Sequence, residues 1–153
     1  MKKIFITALA ALISVSAMSQ VRCVSSNPDY ELTYKRSFTA GNNVIIDFLV
    51  TYYGKGKEWF KVCDTRIYDD EGNIYKTYLT AAGYQHDIIP DVGNTGEYAM
   101  YVESGIPVKV RITVQNVDEY ATMLKKMILT CRVGEGPTSS LPFNIYNIPI
   151  PRN

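Results

Sequence analysis

The chain has 153 residues, of which 46% are hydrophobic and 20% charged, and its formal net charge is +1. Because one domain usually takes roughly 100–200 residues, these values exclude a multi-domain enzyme. They also exclude a disordered charged tail and a collagen-like chain. We therefore expect one folded domain.

Residues 1–19 have the three parts of a secretory signal peptide. Two lysines follow the first residue, an apolar run extends over 4–15, and small side chains at Ala17 and Ser19 precede a cleavage site. The apolar run is shorter than the roughly 20 residues that span a bilayer. The sequence predicts a mature chain that begins at Gln20, has no membrane span, and is periplasmic or secreted.

Removal of residues 1–19 would subtract two lysines and no acids, which leaves 14 basic and 15 acidic side chains. A nearly neutral chain with interspersed signs has no electrostatic footprint for nucleic acid or for an anionic membrane surface. We expect neither of them as a partner.

All three cysteines, Cys23, Cys63 and Cys131, lie in the predicted mature chain. An oxidising compartment permits a disulfide, but an odd number leaves at least one thiol unpaired. Two interpretations stay open. Either one disulfide joins Cys131 to Cys23 or to Cys63, or all three thiols are buried and act as small hydrophobic side chains.

Two strands joined by a hairpin are predicted near the start of the mature chain. Apolar and polar residues alternate over 30–38, where Arg36 is the one charged residue on the apolar side. Gly41 interrupts the pattern before a second alternating run over 44–52. The short, glycine-containing break is typical of a hairpin turn.

An acidic turn follows the third predicted strand, 59–68, and 74–79 is predicted to return along that strand. The turn sequence, Asp-Asp-Glu-Gly-Asn, does not have EF-hand spacing, because Gly72 is its fourth residue and Thr80 occupies the twelfth position. We therefore expect a hairpin in which Gly72 supplies a positive φ and the carboxylates are solvated.

The second half of the chain adds further strands. Residues 81–97 have little pattern and are expected to form a long connection, followed by strands over 98–102 and 108–114. Prolines confine a last predicted strand, 143–150, to a sheet edge.

The stretch 116–131 fits two periodicities. Its apolar residues fall on one helical face, but those from Met127 onward also alternate as in a strand. We interpret it as a short helix near 117–123, followed by a strand that ends at Val133.

Many short strands separated by turns predict an all-β sandwich or barrel. Residues 64–75, Asp-Thr-Arg-Ile-Tyr-Asp-Asp-Glu-Gly-Asn-Ile-Tyr, resemble the strand and acidic glycine turn of the bacterial exported domains grouped as DUF4352 and FxLYD, with Thr65 where the FxLYD signature has Phe. The resemblance covers about residues 42–133. It implies an immunoglobulin-like antiparallel β-sandwich, here a single domain over 20–153, without known enzymatic activity.

Residues that could carry catalysis are few. The single histidine, His86, lies in a loop-like stretch and cannot build a multi-histidine zinc site. No G-x-S-x-G, H-E-x-x-H or P-loop motif occurs. We predict no enzymatic activity, no cofactor and no metal site, with His86 exposed in its loop.

The 12 tyrosines and the single tryptophan suggest recognition. Tyr52 and Tyr53 are adjacent and must point to opposite faces of their strand, and lysines flank Trp59. We predict that Trp59, Tyr53 and Tyr52 contribute to a recognition surface. The preferred function is a non-catalytic exported module that contacts another protein or itself. The alternative is a small-ligand or glycan-binding domain that uses exposed aromatic side chains.

Overall fold

A computed structural model describes residues 20–76, 78–82, 99–134 and 139–152. The strands within these ranges are β1 (Arg22–Ser25), β2 (Tyr30–Ala40), β3 (Asn43–Tyr52), β4 (Lys57–Asp69), β5 (Ile74–Lys76), β6 (Tyr78–Ala82), β7 (Ala99–Glu103), β8 (Val108–Val114), β9 (Met123–Val133) and β10 (Ser139–Pro149).

The strands form two packed antiparallel sheets. The four-stranded sheet has the order β2-β3-β8-β6, and the six-stranded sheet has the order β1-β10-β9-β4-β5, with β7 also paired with β4. If β2 is taken as strand A and β4 as strand C, these orders correspond to the A-B-E-D and G-F-C sheets of an immunoglobulin-like sandwich. The predicted fold class is confirmed.

The core fills the space between the two sheets, and alternating side chains build it. On β3 and β8 the even-numbered residues of the predicted apolar pattern are buried, except for the half-buried Val108, and Phe48 on β3 is fully enclosed. Phe60 on β4 and Phe143 on β10 are also fully enclosed. Because side chains alternate between the faces of a strand, the intervening residues lie on the outer face of each sheet.

Arg36 breaks the predicted alternation of β2 because the strand contains a β-bulge. The pairing of β2 with β3 shifts between Tyr34 and Arg36. One extra residue reverses which face the following side chains occupy. Arg36 therefore lies opposite Asp47, on the outer face of the four-stranded sheet.

The predicted helix near 117–123 is wrong, because the described residues contain no helix. The N–H groups of Thr122 and Met123 donate to Asp70 Oδ1 at 3.0 and 3.2 Å. In a helix those groups would donate to carbonyls four residues earlier. The segment is instead a turn in which the Ala121 N–H donates to the Asp118 carbonyl.

Two further strand predictions need correction. The predicted return strand 74–79 is divided, because β5 pairs with β4 whereas β6 joins the other sheet beside β8. The last strand, β10, is not at an edge, because β1 pairs with its residues 143–146. Pro142 and Pro149 lie outside that paired stretch, where a missing N–H costs no bond to β1.

Some predictions fall outside the described residues, namely the signal peptide over 1–19, His86, and most of the connection over 81–97. Within the part of the chain that the structure describes, no helix is long and apolar enough to cross a membrane.

Candidate functional site

The structure does not bring the three predicted recognition residues together. Tyr52 is buried in the core, which corrects its assignment to a surface. Tyr53 is exposed outside the four-stranded sheet, where its hydroxyl donates to Glu31. Trp59 is half-buried on the opposite side of the domain, on the outer face of the six-stranded sheet.

Tyr52 completes an aromatic cluster at one end of the core. Its ring centroid lies 5.0 Å from that of Tyr30, which lies 6.1 Å from that of Phe60. Burial, followed by the nearby charge of Glu58, raises the pKa of Tyr30. A Cβ on Gly54 would overlap the Tyr52 hydroxyl, so the close approach of this loop to the ring requires glycine. The cluster is therefore a packing feature.

Aromatic side chains form rows on the outer face of the six-stranded sheet. Trp59 on β4 pairs with Tyr101 on β7, and Tyr101 is 50% exposed. Tyr68 on β4 and Tyr146 on β10 both pair with Lys126 on β9, which places all three on one face.

Cations lie between these rings. We call the surface the aromatic–cationic face and define it by Trp59, Tyr68, Tyr101 and Tyr146 together with Arg22, Lys57, Lys61, Arg66, Lys126 and Arg132. Two acidic side chains, Asp64 and Glu103, lie among them.

Several of these cations are stacked on the rings. The guanidinium carbon of Arg22 lies 4.5 Å from the Tyr146 ring centroid, and Lys126 Nζ lies 5.8 Å from the same centroid. Lys57 Nζ lies 4.9 Å from the centroid of Tyr101. Such contacts hold a cation at a ring face while it keeps its charge.

None of the six cations forms an ion pair with a carboxylate in the described ranges, where every ion pair is made by Asp47. The aromatic–cationic face therefore presents positive charge that the described part of the domain does not neutralise locally. An anionic group from outside could make the charge-assisted hydrogen bonds that these side chains lack.

The outer face of the four-stranded sheet is different, because its cations are paired. Asp47 is buried and accepts hydrogen bonds from Arg111 at 2.7 and 3.0 Å and from Arg36 at 2.8 Å. Lys109 Nζ lies 3.7 Å away. Burial by itself raises the pKa of Asp47, but the hydrogen bonds and positive charges outweigh it and lower the pKa to about 2. This arrangement is a closed ion cluster.

The carboxylates of the acidic turn between β4 and β5 accept hydrogen bonds from the chain itself. Gly72 has φ +90°, as predicted for the hairpin. Asp69 is buried, and its carboxylate accepts from the N–H groups of Glu71 and Asn73, the Asn73 amide and the Tyr75 hydroxyl. The expectation that these carboxylates are solvated is wrong for Asp69, whose hydrogen bonds outweigh burial and lower its pKa.

Asp70 ties the same turn to the segment before β9. Its carboxylate accepts from the N–H groups of Thr122 and Met123 and from the Thr122 hydroxyl. Burial raises the pKa of Asp70, but these bonds outweigh it and the net pKa is lowered. Among the described residues no group of three or more potential ligands is arranged to hold a metal ion.

All three cysteines are free thiols. Cys131 is buried and faces the core, and burial raises its pKa. Cys63 is exposed at a β-bulge between Val62 and Asp64, outside the same sheet. In the strand register, Cys23 on β1 lies opposite Ile145 on β10. Cys131 on β9 lies opposite Leu141, which precedes Ile145 by four residues along β10. The structure therefore contains neither of the two candidate disulfides.

Trp59 could be predicted from the sequence, but most other residues of the aromatic–cationic face could not. The available signal was the polar side of each alternating strand, such as Lys57, Trp59 and Lys61 along β4. Strand register was needed to show that these residues lie beside side chains from β1, β7, β9 and β10.

No protein-family model, curated protein or solved structure matches this chain. The resemblance to DUF4352 and FxLYD domains stays a prediction from residues 64–75.

Proposed function

We propose that this protein is an exported, non-catalytic immunoglobulin-like module that contacts another protein through the aromatic–cationic face. The observation that carries the proposal is the composition of that face. Trp59, Tyr101 and Tyr146 lie on one sheet surface among arginines and lysines that form no ion pair with any described carboxylate. Tryptophan, tyrosine and arginine dominate the binding energy of protein interfaces.

The position of the face in the fold also supports contact. The aromatic–cationic face extends across five neighbouring strands of the six-stranded sheet, namely β1, β10, β9, β4 and β7. The backbone hydrogen bonds of the sheet hold its side chains in register. Side chains on rigid elements lose little conformational entropy on binding, so a sheet face of this kind is pre-organised. The face draws its side chains from β1, β4, β7, β9 and β10, and a surface of that breadth suits a protein partner better than a small ligand that needs a concave site.

The glycan-binding alternative receives less support from the geometry. A neutral sugar stacks on a bare aromatic face, but Tyr146 and Tyr101 have cations over their rings. Tyr53, the other exposed tyrosine of the sequence prediction, hydrogen-bonds Glu31 outside the opposite sheet and is not part of this surface.

A pair of photo-cross-linking variants in the cell that makes the protein tests the proposal. A photoreactive phenylalanine analogue replaces Tyr101 on the proposed face or Tyr53 on the opposite side. The two positions are matched, since the side chains are 50% and 56% exposed. We expect a discrete protein adduct from position 101 and none from position 53. Equal adducts from both positions, or an adduct from position 53 alone, would contradict the proposed face.

The protein recovered from the same cells also tests the signal-peptide prediction. N-terminal sequencing should give Gln20 as the first residue, because small residues at Ala17 and Ser19 form the cleavage pattern. A chain that retains residues before Val15 would overturn the signal-peptide prediction without affecting the cross-linking result.

A further inference from the structure

The unpaired charge of the aromatic–cationic face indicates the chemistry of its partner, an inference that rests on the proposed function. We infer that the face binds an acidic polypeptide segment that carries both acidic side chains, glutamate or aspartate, and apolar side chains. The inference goes beyond protein contact in general, because it states the charge and the mixed character of the surface that docks there.

The first step of the argument is the contrast between the two outer faces. On the four-stranded sheet the cations Arg36, Lys109 and Arg111 surround the buried Asp47. On the six-stranded sheet Asp64 accepts a hydrogen bond from the neighbouring Thr65 N–H, and the six cations form no ion pair within the described ranges. Among the described residues, the domain therefore supplies a buried shared counter-ion on one face, whereas Asp64 and Glu103 on the other face form no ion pair with its cations. A partner of opposite charge would supply the counter-ion.

The second step concerns how the tyrosine rings restrict the positions of the charged groups. The Arg22 and Lys57 charges lie at the ring faces of Tyr146 and Tyr101. The ring restricts where the long side chain can go, so less rotamer entropy is lost when an anion binds it. Fixed positive groups of this kind favour carboxylates over neutral ligands.

The third step separates an acidic polypeptide from an acidic polysaccharide. Apolar side chains lie on the same face as the cations. Ile74 pairs with Tyr68 and is 63% exposed, Val24 is 42% exposed, and Ile128 pairs with Arg66. A polyuronate has a carboxylate on each sugar and no apolar side chains to cover these positions. A polypeptide of mixed acidic and apolar residues covers both kinds of group.

Two residues of the face report binding directly. Trp59 is the single tryptophan of the chain, so intrinsic fluorescence excited at the tryptophan band comes from this surface alone. Cys63 is exposed at the β-bulge on the same face, whereas Cys131 is buried. The alkylation rate of Cys63 therefore shows whether a bound chain covers the middle of the face.

The probe is a random copolymer of glutamate and leucine, and polygalacturonate is compared with it at equal carboxylate concentration. On the mature chain at low salt, we expect the copolymer to change Trp59 fluorescence saturably and to slow Cys63 alkylation roughly threefold or more at a few times Kd. Raising the salt from about 50 mM to about 500 mM should reverse both effects, because exposed charges are screened.

Two charge-reversal variants control for net charge. Arg66→Glu with Arg132→Glu changes exposed cations of the face, whereas Lys35→Glu with Lys55→Glu changes the net charge equally at exposed positions elsewhere. We expect the first pair to weaken copolymer binding about tenfold or more and the second pair to change it less than about threefold.

Three results would overturn the inference. They are tighter binding of polygalacturonate than of the copolymer, equal effects of the two charge-reversal pairs, and no fluorescence change with the copolymer. If position 101 still gives its cross-linked adduct in the cell, any of these results removes only the acidic partner and leaves the proposed contact face standing. If that adduct is also missing, the proposal that this face contacts another protein is contradicted as well.

Discussion

Asp47 is a single buried carboxylate that holds three cations over the four-stranded sheet. It lies on the outer face of β3, where the pattern of the sequence would place an exposed polar residue, and it is 3% exposed. The β-bulge at Arg36 turns that arginine toward it, and Arg111 contributes from β8. The cluster therefore joins three neighbouring strands.

Asp47→Asn should lower the free energy of unfolding by about 2–3 kcal/mol, because it leaves the cations without their shared counter-ion. Glu119→Gln makes the same carboxyl-to-amide change at an exposed position and should cost about 0.5 kcal/mol or less. Chemical denaturation of both variants measures the difference. Equal small effects would show that the cluster contributes nothing to stability.

The Asp47 cluster also predicts a pH dependence. The pKa of Asp47 falls from 3.8 to about 2 on folding. The stability that the ionised Asp47 contributes is therefore complete above pH 3.8 and is lost as the pH falls toward 2. The stability difference between the wild-type chain and Asp47→Asn should therefore be constant near neutral pH and shrink by about 2.5 kcal/mol under acid. A difference that stays constant down to pH 2 would contradict the lowered pKa.

A substitution at Gly72 tests backbone strain separately from side-chain packing. Its φ is +90°, and a Cβ at this position would meet no atom within 4 Å. Gly72→Val should therefore destabilise by about 1–3 kcal/mol through conformation alone. Glu71→Gln, at the adjacent exposed position, should change stability by about 0.5 kcal/mol or less. Thermal unfolding compares them, and a silent Gly72→Val would mean that the turn adopts another backbone conformation.

The turn between β4 and β5 acts at the scale of elements, because its carboxylates bind a segment far away in sequence. Asp70 accepts three hydrogen bonds from Thr122 and Met123, and the Tyr75 hydroxyl accepts from the Asp118 N–H. These bonds hold the turn that leads into β9. Acidic residues thus fix the start of a core strand.

Asp70→Ala should destabilise by about 1–3 kcal/mol, because it leaves two N–H groups and a hydroxyl without their acceptor. It should also speed hydrogen exchange at the Thr122 and Met123 amides more than at the amides in the centre of β9. Glu71→Ala, one residue along the same turn, is the matched control and should change neither property. Unchanged exchange at 122 and 123 in Asp70→Ala would show that the carboxylate does not hold this segment.

Strands that alternate without interruption could be predicted from the sequence, and those with bulges could not. In β3 and β8 the apolar residues occupy every second position and pack in the core, so the period of two predicted both strands directly. The bulge at Arg36 changes which face of β2 the following side chains occupy. The hydropathy pattern alone cannot distinguish such a bulge from a polar residue that lies on the apolar face. The stretch 116–131 fits both periods, and Asp70, whose carboxylate binds the backbone of Thr122, lies about fifty residues earlier in the sequence.

Charge separation is a property of the whole molecule that composition conceals. The predicted mature chain has 14 basic and 15 acidic side chains, yet six of the basic ones share one face with only two acids from the described residues. The neighbours on that face come from β1, β4, β7, β9 and β10. Trp59 could be selected from the sequence because it is a lone tryptophan between lysines, but its surroundings depend on pairing between distant strands.

The affinity of the partner captured from position 101 tests the contact face most directly. Tyr146→Ala removes a ring of the aromatic–cationic face, whereas Tyr120→Ala removes a more exposed ring, 72% accessible, from the turn before β9. With both variants shown to be folded by thermal unfolding, titration calorimetry should give a Kd about tenfold or more weaker for Tyr146→Ala and unchanged for Tyr120→Ala. A partner that binds Tyr146→Ala as tightly as the wild-type chain would contradict the assignment of this face.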